Sequence, residues 1–502
     1  MTGRLTRLVT LASVIPVLYG TTLLGIQAQE MSQADSGIHK IQHIVIIMQE
    51  NRSFDSYFGT YPGADGILMK NGVPTVCMPD PRTHHCSMPY HDNADDNVGA
   101  RHQMADGLTD VDQGKMDGFL AVAEHDPDRG CTHFGDPKCD LSSPPDVMGY
   151  HDGRDLPNYW TYARDFVLQD HMFSPVASWS LPAHLYLVSG WSASCSRAGN
   201  PASCTSDPIM KIPGNPLNFA WTDITYLLNK YGVSWKYYIA SNTDRWCPRD
   251  APVCPGALKS NQYATPFIWT PLPAFDTVKG DNQTGNVQDI SHFYTDAKNG
   301  ALPAVSWVIP NTLNSDHPPA LVSVGQSYVT GLVNTIMRSA TWDSTAIFLA
   351  WDDWGGFYDH VQPPTVDQNG YGFRVPALVI NAYVRKGYID HQTLSFDAYL
   401  KFIEDDFLGG QRLDPRTDGR PDPRPTVREN APLLGNLAND FDFSQAPRAP
   451  VLLSVTPATD LLKSYATAPF QPPPSRQALA RRPGPSLASL HRSERSPSNL
   501  LQ

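Results

Sequence analysis

Several things are scarce in this chain of 502 residues, and each scarcity argues against something. Charged residues make up only 18% of it, and 38 basic side chains are outnumbered by 50 acidic ones, for a formal net charge of −12. Without a basic footprint to displace phosphate counterions, nonspecific nucleic-acid binding is a poor fit. Long apolar runs are confined to the first thirty residues, so no later stretch could cross a bilayer. There are 8 Cys but no C-x-x-C knuckle of the kind that holds structural zinc. Uninterrupted helix must be scarce too, because 45 Pro would break it, which disfavours coiled coils and bundles. No internal repeat is visible.

What is present points to a folded, exported protein. The 19 Phe, 21 Tyr and 11 Trp can bury far more apolar surface than a disordered chain carries. The length suits one large α/β domain with insertions, or two to three ordinary domains. Arg4 and Arg7 precede an uncharged apolar stretch, and the small residue Ala28 stands just before the first acid, Glu30. This is the pattern of a cleaved export signal over residues 1–28, leading to a secreted or periplasmic protein. The alternative is a retained anchor, since the run from Leu8 to Ile26 approaches spanning length, although Thr10, Ser13, Pro16, Gly20, Thr21 and Thr22 dilute it. The cysteines form four sequence-neighbour couples: Cys77 with Cys86, Cys131 with Cys139, Cys195 with Cys204, and Cys247 with Cys254. In an exported chain these are expected to be local disulfides.

Apolar runs at 43–48, 304–309, 346–351 and 376–380 have strand character. They are continuous rather than alternating, as strands covered on both faces are, which predicts an α/β fold with a mostly parallel central sheet flanked by helices. Helical spacing appears in QSYVTGLVNTIMRS and FDAYLKFIEDDFLG. Residues 60–150 and 190–300 are irregular, hold all the cysteines, and read as disulfide-stapled insertions. Past residue 450 the chain becomes a Pro/Arg-rich tail over 451–502, expected to be disordered; from Gln471 it carries five Arg against Glu494.

Ligands of an open parallel sheet bind beyond the carboxyl ends of its strands. Two strand candidates end in Glu50-Asn51 and in Asp352-Asp353; brought together, they would form a hard-oxygen cage for a divalent cation. An acid pair after a strand is otherwise an ordinary solvated loop or helix cap. Ser180 stands before Leu181-Pro182 at an expected helix start, a place for a cap or, beside a metal, for a nucleophile. His102, His317 and His360 sit in Asp/Gly/Pro contexts that suit phosphate binding or leaving-group protonation as well as a surface role.

Six ordered segments resemble the bacterial phosphoesterase family of phospholipases C and the related acid phosphatase, a branch of the alkaline phosphatase superfamily. They are IQHIVIIMQENRSFDSYFGTYPGADG at 41–66, GKMDGF at 114–119, MGYHDGRDLPNYWTYARDFVLQDHMF at 148–173, DHPPALVSVGQSYV at 316–329, AWDDWGGFYDHVQPP at 350–364 and RKGYIDHQTLSFDAYLKFIE at 385–404. The resemblance implies an alkaline-phosphatase-like sandwich and a phosphoesterase catalytic domain over 29–450. It further implies metal ligation by Glu50, Asn51, Asp352, Asp353 and Ser180, with Ser180 as hydroxyl nucleophile and His102, His317 and His360 lining the phosphate pocket. The metal could be Ca, Mg, Mn, Zn or Fe. Two departures stand out: Trp354 occupies a position where many relatives carry His, and Ala183-His184 follow the proline where Asn is common. The implied activity is a phospholipase C releasing diacylglycerol and a phosphorylated headgroup through a phosphoserine, with peripheral membrane contact and with Trp235, Tyr237, Tyr238 and Trp246 as possible choline contacts. A broad acid phosphatase is the alternative, and a non-catalytic binding protein on the same scaffold a more remote one. The acidity lies in the body, since the leader and the tail are both basic, and this favours a substrate with a cationic headgroup.

Overall fold

A computed structural model describes residues 37–125, 145–210, 218–240 and 264–462. Its centre is an eight-stranded sheet. Besides several two-stranded pairs at the periphery, the strands in chain order are β1 (His43–Gln49), the short surface hairpin β2 (Met69–Lys70) and β3 (Val73–Pro74), β4 (Val167–Gln169), β5 (Trp235–Ile239), β6 (Val287–Asp289), β7 (Val305–Val308), β8 (Thr345–Trp351), β9 (Ala377–Ile380) and β10 (Tyr388–Asp390). All but the hairpin join the sheet, in the order β6-β5-β7-β1-β8-β9-β4-β10. The apolar runs behave as their composition dictates: Ile44 to Met48 and Ala346 to Trp351 are fully buried, because helices cover both faces. The α/β class and the mostly parallel sheet are therefore as expected. The exception is β9, antiparallel to both β8 and β4. Residues 352–376 contain no helix, so the chain has no crossover with which to return parallel and turns straight back.

The helices that matter for the site are α1 (Phe54–Phe58), α2 (Met104–Val111), α3 (Pro157–Asp165), α4 (Ser180–Ser189), α5 (Val322–Met337) and α6 (Phe396–Phe407). Of these α5 and α6 are the two that the helical spacing anticipates. Helix α4 is wholly buried, with every residue from Ser180 to Ser189 sequestered, so its 3.6-residue period carries no amphipathic signal.

Two expectations about the periphery change. The irregular stretch 190–300 is more than an insertion, since it supplies β5 and the edge strand β6. These strands are short and polar-interrupted, which hid them. Residues 451–462, assigned by composition to the tail, lie against the body: Leu453 pairs with Asn334, Ser454 accepts from Asn158, and Leu462 bridges to Ala94. Leu461 is buried there. Disulfides join Cys77 to Cys86 and Cys195 to Cys204. The other two couples, the export signal and the rest of the tail lie outside the described residues. No helix among the described residues is long and apolar enough to cross a membrane.

Candidate active site

Strands β1 and β8 run parallel and in register, with Gln49 opposite Trp351. The residues that follow each strand therefore emerge side by side, 301 positions apart in sequence for Asn51 and Asp352. Backbone bonds lock the two loops together: Asp352 N–H donates to Gln49 O at 2.9 Å, and Arg52 N–H to Asp353 O at 2.9 Å. Asn51 has φ 56°, the left-handed region that a non-glycine residue rarely enters and that clusters at functional sites. Its N–H donates to Asp352 Oδ1 at 3.0 Å. Gly355, at φ 61°, passes so close that a Cβ there would lie 2.8 Å from Asn51.

Helix α4 delivers two more groups from the opposite side. Ser180 is its first residue, at a terminus that no side chain caps, and Pro182 is tolerated in the first turn because no intrahelical donor is needed there. Ser180 Oγ donates to Asp353 Oδ2 at 3.5 Å. One turn further on the same face, His184 places Nε2 2.9 Å from Glu50 Oε1 and 3.9 Å from Asp352 Oδ2. Glu50, His184 and Asp352 each offer a ligand atom within 4.8 Å of the others, and all three are buried.

These residues fit a divalent cation on independent observations. Glu50 Oε2, Asn51 Oδ1 and Asp352 Oδ2 are buried with no hydrogen-bond partner, an arrangement that costs free energy unless something else satisfies them. Burial, aggravated by the neighbouring Asp352 charge, pushes the Glu50 and Asp353 carboxyls well above the usual range. A bound cation would reverse that cost. The asparagine amide is also aimed: its Nδ2 donates to His102 Nε2 at 2.9 Å and to Asp353 Oδ1 at 3.1 Å, which leaves Oδ1 free.

His102 thus contacts the site through Asn51, with its own Nδ1 turned to Ala100 O at 2.9 Å. Its side chain is 20% exposed, whereas Asp353 beside it is fully buried. The His317 ring lies 6.5 Å from that of His102, edge to face. Burial, and then the nearby His102, lower the His317 pKa to about 4; burial likewise lowers His102, and it brings His184 down to about 4. The three imidazoles are accordingly neutral at pH 7, as proton acceptors or metal ligands must be.

His360 stands apart from this group. Its Nδ1 meets Asp55 Oδ2 at 2.7 Å and its Nε2 meets Asp65 Oδ1 at 3.3 Å, beside the buried Arg374, which pairs with Asp55 and Asp359. No hydrogen bond or ion pair among the described residues joins it to Glu50, Asn51, Ser180, Asp352 or Asp353. His184, conversely, joins the site without any mark in the local sequence pattern beyond the four-residue step from Ser180 in SLPAH. Trp354 has its own occupation: Nε1 donates to buried Asp110 Oδ2 at 2.9 Å, and the ring packs 4.5 Å from Phe373 and 5.9 Å from His102. The aromatic residues suggested for a choline contact belong to the core. Trp235, Tyr237 and Tyr238 are buried in β5, with the tyrosine hydroxyls donating to Trp269 O and Asp296 Oδ2, while Trp246 lies outside the described residues.

A family model described as the Phosphoesterase family matches residues 41–408. Phospholipase C A of Mycobacterium tuberculosis is 28% identical over 82% of this chain and 78% of its own length. Non-hemolytic phospholipase C of Burkholderia pseudomallei is 27% identical over 81% of this chain and 60% of its own. Among solved structures, a protein of the alkaline phosphatase superfamily from Vibrio parahaemolyticus superposes with a TM-score of 0.31 at 12% identity, covering 73% of this chain and 76% of that one, a likeness too slight to argue from.

Proposed function

Because the chain belongs to the phosphoesterase family, and is thereby a phosphoric ester hydrolase, we propose that it is an exported, metal-dependent phospholipase C acting through a phosphoserine. The observation that carries the proposal is the convergence of Glu50, Asn51, His184, Asp352 and Asp353 around the Ser180 hydroxyl in one buried site. The names of the relatives supply the phospholipid substrate, and the two disulfides together with the leader sequence support export.

Glu50, Asp352 and His184 would hold the cation, with the Asn51 amide oxygen and Asp353 beside them. Carboxylates with one imidazole suit Mn, Zn or Fe as well as Mg or Ca. When bound, it would stabilise negative charge on the phosphoryl oxygens and on the serine oxygen. The chain's own groups do the rest. Ser180 Oγ attacks phosphorus, and its proton has an acceptor in Asp353 Oδ2. No side chain caps the start of α4, where Ser180 and Leu181 have no intrahelical acceptor for their N–H groups, a setting that favours an anion. His102 orients Asn51, and it and His317 are the imidazoles placed to meet the departing diacylglycerol oxygen, which takes a proton from water as its bond to phosphorus breaks. Water then attacks phosphorus, and the phosphorylated headgroup leaves Ser180 with its proton restored. His360 has no part in this scheme.

The test is parallel assay of the full chain on phosphatidylcholine and on p-nitrophenyl phosphate, with and without chelator, for wild type and Ser180→Ala. Chelator-sensitive release of diacylglycerol, lost in S180A while metal content by mass spectrometry is retained, is the expected result. Release of nitrophenol alone would replace the reading by a phosphomonoesterase, and undiminished turnover by S180A would end the nucleophile assignment.

A further inference from the structure

Ten large apolar side chains are exposed among the described residues, and six of them fall between positions 68 and 108. The most prominent group sits on the β2–β3 hairpin, where Leu68, Met69 and Val73 are 61%, 37% and 54% exposed. The turn is the tight two-residue kind, with Asn71 and Gly72 both at positive φ, and nothing lies within 4 Å of where a Cβ on Gly72 would stand, so the tip is clear of the body. Lys70 pairs across the strands with Val73, and the two-residue strand period sets Leu68 on the same face. That face therefore presents two apolar groups around an ammonium. Residues 66–76 contain no acid, in a chain of net charge −12, and Asp65, which flanks them, is paired with His171 and His360. Met88 and Leu108 add exposed apolar surface further along the same segment.

The segment is also anchored to the site. Ile67, at the hairpin base, is buried in the apolar cluster that includes Met78, Phe119, Trp354 and Phe373, and Trp354 lies against His102. We propose that this lobe is an interfacial docking surface: the β2–β3 hairpin enters a phospholipid bilayer tip first, with Leu68 and Val73 on one face and Met69 on the other among the lipids, and Lys70 meeting the lipid phosphates. Apolar side chains around a lysine that can snorkel are what a bilayer interface selects, and the lack of acid removes the repulsion that the rest of the body would bring. The inference rests on the phospholipase C reading, because it supplies the surface on which such an enzyme would meet its substrate.

The experiment uses the full chain and vesicles of phosphatidylcholine with a minority of phosphatidylglycerol, comparing wild type, the triple variant L68S/M69S/V73S, and the control I209S/Y231S, which removes exposed apolar groups outside the lobe. Cosedimentation should fall about tenfold or more in the triple variant and stay unchanged in the control. Hydrolysis of soluble p-nitrophenyl phosphorylcholine should be the same in all three. No vesicle binding by wild type, or equal binding by the triple variant, overturns the docking surface. So does a self-association of wild type that the triple variant loses while vesicle binding persists, since a second copy would then be the occupant. Wild type that binds vesicles through the hairpin but releases no diacylglycerol leaves the docking surface standing and removes the phospholipase reading.

Discussion

His360 should make the stability of the fold depend on pH in an unusual direction. Its ring is enclosed by Asp55, Asp65 and Asp359, with the Arg374 guanidinium 3.2 Å away as the opposing charge. Burial by itself would favour the neutral imidazole. The hydrogen bond and charge of Asp55, helped by Asp359, outweigh it and lift the pKa from 6.5 to about 9. A raised pKa means that the folded chain holds this proton more tightly than the unfolded one. The stabilisation is therefore complete below the unfolded value and drains away as pH climbs to the folded one. At about 1.4 kcal/mol per unit the interaction amounts to roughly 3 kcal/mol, and a side chain only 16% exposed leaves little solvent to screen it. His360→Gln keeps a polar planar group and removes the titration. The difference in unfolding free energy between wild type and H360Q, from urea denaturation at fixed metal concentration, should shrink by about that amount between roughly pH 6 and pH 9.5. A difference that stays constant across this range would refute the protonated imidazole.

Four further outcomes follow from the packing and the site. Chelation should lower the melting temperature as well as abolish turnover, because Glu50, Asp352 and Asp353 are then left as buried uncompensated carboxyls; calorimetry with and without chelator checks this. His184→Ala should weaken metal binding by about tenfold or more without unfolding the chain, measured by metal titration of the purified protein. Trp354→Phe keeps an aromatic ring but strips Asp110 of its donor and leaves space where the indole nitrogen side packed, so denaturation should report a loss of about 1–3 kcal/mol. Gly325→Ala should be at least as costly, because a Cβ there would stand 1.7 Å from Asp316 Oδ1, whose partner oxygen already accepts from Trp351 and Tyr159; a variant as stable as wild type would show that α5 can shift away.

The elements most legible in the residues are those in which burial is total and continuous. Runs such as IVIIM and AIFLAW can exist only between two covering layers, and the acids that end them are then forced to one edge of the sheet. β5 and β6 were not legible, because three- to five-residue strands with polar interruptions carry no periodicity to detect.

At the site the same division holds. Glu50, Asn51, Asp352, Asp353 and Ser180 were nameable from the segments that contain them, because each sits at a strand end or a helix start, positions with a local signature. His184 was not, because a histidine inside a fully buried helix shows its purpose only when the facing carboxylate is known. His360 shows the converse: its Asp/Gly surroundings suit a phosphate pocket, yet Asp55, 305 residues away, claims its Nδ1. The sequence by itself determined the class of fold, the two acidic strand ends and the serine that faces them. Only the tertiary structure decided which imidazoles join them, because a histidine's role depends on the charge and burial of neighbours that lie hundreds of residues distant along the chain.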